Sequence, residues 1–168
     1  MDQAVALLGD HKPGGPLRGG KGSEFEAGTR VPFIVRWPKQ VKPGVSDALV
    51  AQIDLPASFA ALTNQNVPFQ DSENILPALL GETQSGRKYL VLGGGGRSLR
   101  YEQWKTIMPN NGQPISANLK IETGNSPNPQ LYRLDTDLGE QNNLAAVEQE
   151  RWERMRTVLQ EIRNAKTQ

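Results

Sequence analysis

The spacing of apolar residues changes along the chain and divides it in two. Met1–Leu8 carries Ala, Val and Leu in a short helix-compatible run that Gly9 stops. From Gly9 to Gly22 the sequence GDHKPGGPLRGGKG holds too much Gly and Pro for regular structure, which predicts a loop whose backbone approaches something closely. Val31-Pro-Phe-Ile-Val-Arg-Trp37 is then continuously apolar with little alternation, the pattern of a strand buried on both faces. Pro32 sits near its start, where a missing donor is tolerated. Lys39–Val45 reads as a turn segment. Asp54 followed by Leu-Pro-Ala-Ser-Phe-Ala-Ala-Leu62 predicts a helix, with Asp accepting from the free amides, Pro in the first turn and Leu55, Phe59 and Leu62 on one face. A second short helix is predicted over Asn74–Leu80, ended by Gly81.

After the polar stretch Glu82–Arg87 the period shortens. Lys88–Leu92, Leu99–Met108 and Gln130–Leu134 read as strands of an antiparallel sheet, joined by Gly-, Asn- and Pro-rich connections. Leu144–Lys166 closes the chain as a helix whose stripe of Leu144, Trp152, Met155, Leu159 and Ile162 suits packing across that sheet. Two parts follow, residues 1–86 and 87–168.

Composition narrows the function classes. Nineteen Lys and Arg against eighteen Asp and Glu leave no basic excess, so the chain does not read as a nucleic-acid binder. No run approaches the roughly 18 apolar residues of a membrane span, and no stretch reads as a signal peptide. With no cysteine, thiolate metal sites and disulfides are excluded within the chain. Seventeen Gly and twelve Pro, about one residue in six, point to a loop-rich fold.

The chemistry concentrates in Gly14–Trp37, GGPLRGGKGSEFEAGTRVPFIVRW, where Lys21 is held in a glycine-rich loop. A cation fixed among backbone amides suits a tetrahedral oxyanion; a plain solvated lysine is the competing reading. Gly15, Gly20 and Lys21 satisfy the spacing of a nucleotide phosphate loop, yet Gly22 stands where Ser or Thr would hold magnesium, and no convincing strand leads in.

The order G-P-L-R-G-G-K-G-S, then an aromatic, Glu, a small residue and G-T-R-V-P-F-I-V-R-W-P, resembles the segment around the active-site lysine of type I (arylsulfatase-like) sulfatases. Three further stretches follow in the family's order: Ser46–Asp54, Ser98–Lys105 ending in Trp-Lys, and Gln130–Leu144, similar to L-Y-x-L-x-x-D-x-x-E-x-x-N-L. Together they cover nearly the whole chain and resemble the C-terminal portion of such an enzyme.

The resemblance implies an alkaline-phosphatase-like α/β fold (α+β in this portion alone). Residues 1–86 would end the large domain and carry the lysine loop, and 87–168 would form a small antiparallel sheet packed on the long C-terminal helix. It implies hydrolysis of sulfate esters through a formylglycine nucleophile and a divalent cation, usually calcium. The formylglycine motif C/S-x-P-S/A-R is missing from this chain; Ser58 in Leu-Pro-Ala-Ser-Phe-Ala has the wrong order. Asp2 lacks the Asn-Gly that follows the family's aspartate and is not assigned as a metal ligand. The chain alone is therefore expected to bind no metal and to be inactive, with a missing N-terminal half as partner.

By the resemblance Lys21 contacts the sulfate oxygens and stabilises charge as the ester bond breaks. His11, the sole histidine, either touches the leaving group or donates its proton, or is an exposed loop residue. Arg18 either reaches a substrate anion or pairs with a carboxylate of the missing half. Glu26 and Arg30 read as structural, Trp37, Trp104 and Tyr132 as core aromatics, and Gly93–Arg97 as a flexible connection or a close backbone approach to a ligand. The substrate would be a sulfated small molecule or glycan, with no nucleic acid and no membrane span. The location would be periplasmic or secreted, by resemblance alone. The competing function is a free-standing binding or interaction module derived from a sulfatase.

Overall fold

The structure, a computed structural model, describes residues 9–165. The expected helical run at Met1–Leu8, Asp2, and the last residues of the C-terminal helix lie outside that range. The described chain forms two compact units: residues 32–90, and a second that joins the segment up to Val31 with everything from Val91 onward. The lysine loop therefore packs with the C-terminal sheet.

In that unit β1 (Tyr89–Leu92), β2 (Ser98–Tyr101), β3 (Trp104–Ile107) and β4 (Gln130–Arg133) lie in sequence order in one sheet, with β2–β3 and β3–β4 antiparallel. The single strand expected over Leu99–Met108 is a hairpin. Its two-residue turn puts Glu102 at φ 51°, and Arg100 Nη2 donates to the Glu102 carbonyl at 3.1 Å. Nothing in Tyr-Glu-Gln-Trp carries the Asn-Gly or Asp-Gly chemistry that marks such turns in a sequence.

The register sorts the side chains into two faces, since successive residues of a strand point opposite ways. Leu99, Trp104, Thr106 and Leu131 share one face, and Ser98, Arg100, Lys105, Ile107, Gln130 and Tyr132 the other. The helix α4 (Gln149–Ala165) packs on β2 and β3, burying Met155 and Leu159, with Arg151 stacked 4.3 Å above the Trp104 ring. Leu144, expected to open this helix, precedes it. The opposite face is covered by the lysine-loop segment: Phe25 joins Ile107, Tyr132 and Leu134 in a core cluster, and its ring meets Tyr132 edge-on at 6.1 Å. Both faces being covered explains why all four residues of β3 are buried, a lysine among them.

In the unit 32–90, a 3-10 turn (Gln52–Asp54) leads into α2 (Leu55–Leu62), and α3 spans only Leu76–Leu79. The expected cap is different in kind. Asp54 is fully buried, but its carboxylate accepts from Ala51 N (3.2 Å) and Glu73 N (2.9 Å) and lies 3.4 Å from Arg87 Nε. It ties three segments together and leaves the amides of its own helix alone. The buried face of α2 centres on Ser58, whose Oγ donates to the Asp54 carbonyl and accepts from Ile75 N; Phe59 and Leu62 are exposed.

Val31–Trp37 forms no strand, contrary to the sequence pattern. Ile34 is 89% exposed, and Phe33, Val35 and Trp37, the last expected in the core, are exposed as well. A strand exists only where a neighbour accepts its ladder, and no described strand lies beside this run. Apolarity alone cannot supply the partner.

Candidate functional site

Lys21 stands at the second position of a four-residue turn, Gly20 to Ser23, closed by Ser23 N donating to the Gly20 carbonyl at 2.9 Å. The third position has φ +88°, a left-handed value that Gly22 adopts without strain. This is the physical reason for the Lys-Gly pair, and it differs from a phosphate loop, where the lysine opens a long helix. Here the next helix, α1 (Glu26–Thr29), is one turn long. The Lys21 side chain is exposed and has no hydrogen bond or ion pair among the described residues. His11 is exposed and equally without a partner there.

The residues just after Lys21 are buried, which is unusual for a loop this polar. Ser23, Glu24, Phe25 and Glu26 are each less than 5% exposed. Glu24 N donates to the Thr123 carbonyl at 2.9 Å and Ala27 N to the Arg18 carbonyl at 3.0 Å, so the loop is fastened at both ends. Gly28 lies against the Ser23 and Gly20 carbonyls, where any side chain would collide.

Two buried ionic groups hold the segment to the sheet. Glu24 receives Arg97 Nη2 at 3.0 Å and a short bond from Ser98 Oγ. Glu26 receives Arg100 Nη1 and Lys105 Nζ, both at 3.1 Å, while Arg30 stands 3.9 Å away. Lys105, fully buried, also lies 3.0 Å from Glu140 Oε1, off the line of a good hydrogen bond, and Glu140 Oε2 accepts from Glu26 N at 2.6 Å. Burial pushes the Glu140 carboxyl above its usual value, opposed by Lys105, and burial lowers the Arg100 guanidinium. Burial pushes the Tyr132 hydroxyl up to about 12, so it stays protonated and donates to Gln130 Oε1 at 2.9 Å.

Arg18, a candidate for a substrate anion, has its donors occupied within this chain. Nε and Nη2 grip Glu122 at 2.8 and 2.5 Å, Nη1 donates to the Glu140 carbonyl at 2.6 Å, and the guanidinium lies 4.0 Å above the Phe25 ring. This bidentate pair holds the Glu122 carboxyl below its usual range. The Glu26 carboxylate is structural but holds cations of the sheet, Arg100 and Lys105, and Arg30 stands beside that buried acid. Sequence reasoning missed Glu24, Arg97, Arg100, Lys105 and Glu140. The available signal was the pair Arg100 and Lys105, which alternate with apolar residues in two strands and so face the same way as Ile107.

Among the described residues no three His, Asp or Glu side chains converge on a point that could hold a metal ion. The calcium that the resemblance implies thus finds no fitting ligand set there. No described helix is long and apolar enough to cross a membrane.

A family model described as Sulfatase matches residues 2–65. An N-acetylgalactosamine-6-O-sulfatase of Bacteroides thetaiotaomicron is 46% identical over 150 residues, covering 86% of this chain and 29% of the relative. Human arylsulfatase A is 31% identical over 147 residues, 77% of this chain and 29% of the relative. A solved structure from work on the metabolism of multiple glycosaminoglycans by Bacteroides thetaiotaomicron superposes with a TM-score of 0.89 at 41% identity, covering 98% of this chain and 35% of that one. The chain belongs to the sulfatase family. It spans about three tenths of the length of these curated relatives.

Proposed function

We propose that this chain is the lysine-bearing part of a sulfuric ester hydrolase acting on a carbohydrate sulfate. The observation that carries the reading is Lys21 itself. It is an exposed cation on a glycine turn, in the sequence G-P-L-R-G-G-K-G-S, two residues ahead of a run of four buried residues. An ammonium held this way can donate to a sulfate oxygen and offset the charge that grows on the bridging oxygen as the S–O bond breaks. His11, exposed in the same glycine-rich loop, stands as a second contact to the leaving group.

The carbohydrate class rests on the N-acetylgalactosamine-6-O-sulfatase among the relatives. The nucleophile and divalent cation would come from residues outside those described here, and an exported location goes with that whole protein.

The test is release of inorganic sulfate from 6-O-sulfated N-acetylgalactosamine and from an aryl sulfate, by the complete protein that carries this chain. Lys21→Ala is expected to lower kcat about a hundred- to a thousandfold, roughly 3 to 4 kcal/mol of barrier, with a smaller change in KM. Residues 1–168 alone are expected to release none. An unchanged kcat would return Lys21 to the solvated loop lysines, and turnover by the isolated chain would refute the division of labour.

A further inference from the structure

Of the run Gly93-Gly-Gly-Gly-Arg97 only Arg97 has entered the site so far, and the structure shows what its glycines approach. Gly96 N donates to the Gly93 carbonyl at 3.2 Å, folding the connection between β1 and β2 back on itself. Gly93, at φ +82°, lies so close to the Glu24 carboxylate that a Cβ there would run into it. Gly124, at φ +84°, closes on the Glu24 side chain from elsewhere in the same unit. The next two residues of the glycine connection supply the donors: Arg97 through Nη2 and Ser98 through Oγ. Arg97 is itself fixed by Asn125 Oδ1 at 2.8 Å. Residues 93–98 and Gly124 therefore form a clasp, Gly93 and Gly124 making room for a carboxylate that the Arg97 and Ser98 side chains bind.

The clasped residue is three positions from Lys21, so no more than roughly 10 Å of chain separates them. Lys21 has no partner of its own among the described residues, and the turn that carries it is closed by one hydrogen bond. Its position is thus inherited from the anchored residues on either side, Arg18 three positions before it and Ser23 and Glu24 just beyond it. Ser23 Oγ accepts from Phe25 N at 3.1 Å, and Glu24 holds both by its amide and by its carboxylate. Glu26, two residues further on, secures α1.

Resting on the reading of Lys21 given above, we infer that Glu24, clasped by Gly93, Arg97 and Ser98, is a positioning residue that sets the place of the Lys21 ammonium at the sulfate. The clasp acts through the Gly20–Ser23 turn.

A double-mutant cycle in the complete protein tests this. A misplacement of about 1 Å can cost on the order of a hundredfold, so Glu24→Gln should lower kcat by about that factor while KM changes little. In the Lys21→Ala background the same substitution should change kcat by less than about threefold, because the group it positions is gone. Equal losses in the two backgrounds would overturn the inference, since Glu24 would then serve the fold generally. A silent Lys21→Ala sinks the catalytic reading of Lys21 and this inference with it, whereas equal losses from Glu24→Gln in both backgrounds sink this inference alone, which separates the two failures. Should Glu24→Gln fold poorly, Ser98→Ala removes one donor and is expected to shift kcat the same way by a smaller factor. In the purified 168-residue chain, both variants should speed amide exchange at Ser23 and Glu24 and leave α4 unchanged. Unaltered exchange at those two amides would also overturn the inference.

Discussion

Lys105 shows how much one residue depends on its surroundings. A fully buried ammonium is tolerable only because Glu26 and Glu140 stand within 3.1 Å of it. Lys105→Met keeps the volume and removes the cation, leaving two buried carboxylates facing each other. The expected cost is about 3 to 5 kcal/mol, read as a lowered urea midpoint. Glu140 gives the pH dependence. Its folded-state value is raised above 4.5, chiefly by burial, so the folded protein holds this proton more tightly than the unfolded chain does. The stability it contributes is fully present below about 4.5 and is lost as pH rises through the higher folded value. Wild type should therefore lose stability relative to Glu140→Gln as pH rises from about 4.5 through the raised folded value, measured by urea unfolding across a pH series. A difference independent of pH would show that Glu140 does not titrate there.

At the scale of elements, the small sheet is a two-sided object. Hydrophobic packing holds one face to α4, whereas the other is held to the lysine loop by Phe25 and by ion pairs. The first is sensitive to volume. Leu159, fully buried in α4, should cost about 2 to 5 kcal/mol when changed to Ala, while Val147, 81% exposed, should cost less than about 0.5. Thermal unfolding of the two variants side by side checks this, and similar losses would mean that α4 is not packed as described. The second face depends on charge, so the element that carries Lys21 is fixed by polar chemistry.

For the whole molecule, the two units bury their apolar residues to different extents. The sheet unit encloses Leu99, Ile107, Leu131 and Leu159 completely, whereas 32–90 leaves Phe33, Ile34, Phe59, Val67 and Phe69 exposed. Sparse burial lowers the cost of local opening. Amide hydrogen exchange should find β2, β3, β4 and α4 the most protected, Ser23–Ala27 protected with them, and 32–90 faster throughout. Fast exchange at Ser23–Ala27 would show that the loop is not fastened to the sheet.

The local rules that sequence obeys were readable directly. The short strand-like runs around Tyr89, Leu99 and Leu131 and the stripe through Met155 and Leu159 announce a small antiparallel sheet with a helix across it, because apolar patterning records what is buried. The lysine motif was equally legible, since its glycines and their spacing are local. Partnership is another matter. Val31–Trp37 carries a strand's composition and is no strand, because a ladder needs a neighbour that composition does not name. Phe59 and Leu62 show the helical version of the same point. The identity of the charge partners was also invisible: Glu24 lies 73 residues from Arg97, Glu26 lies 79 from Lys105, and Arg18 lies 104 from Glu122. A carboxylate looks the same in a sequence whether water or a buried guanidinium surrounds it. Only the folded chain decides that, because desolvation and pairing are properties of the space around a group.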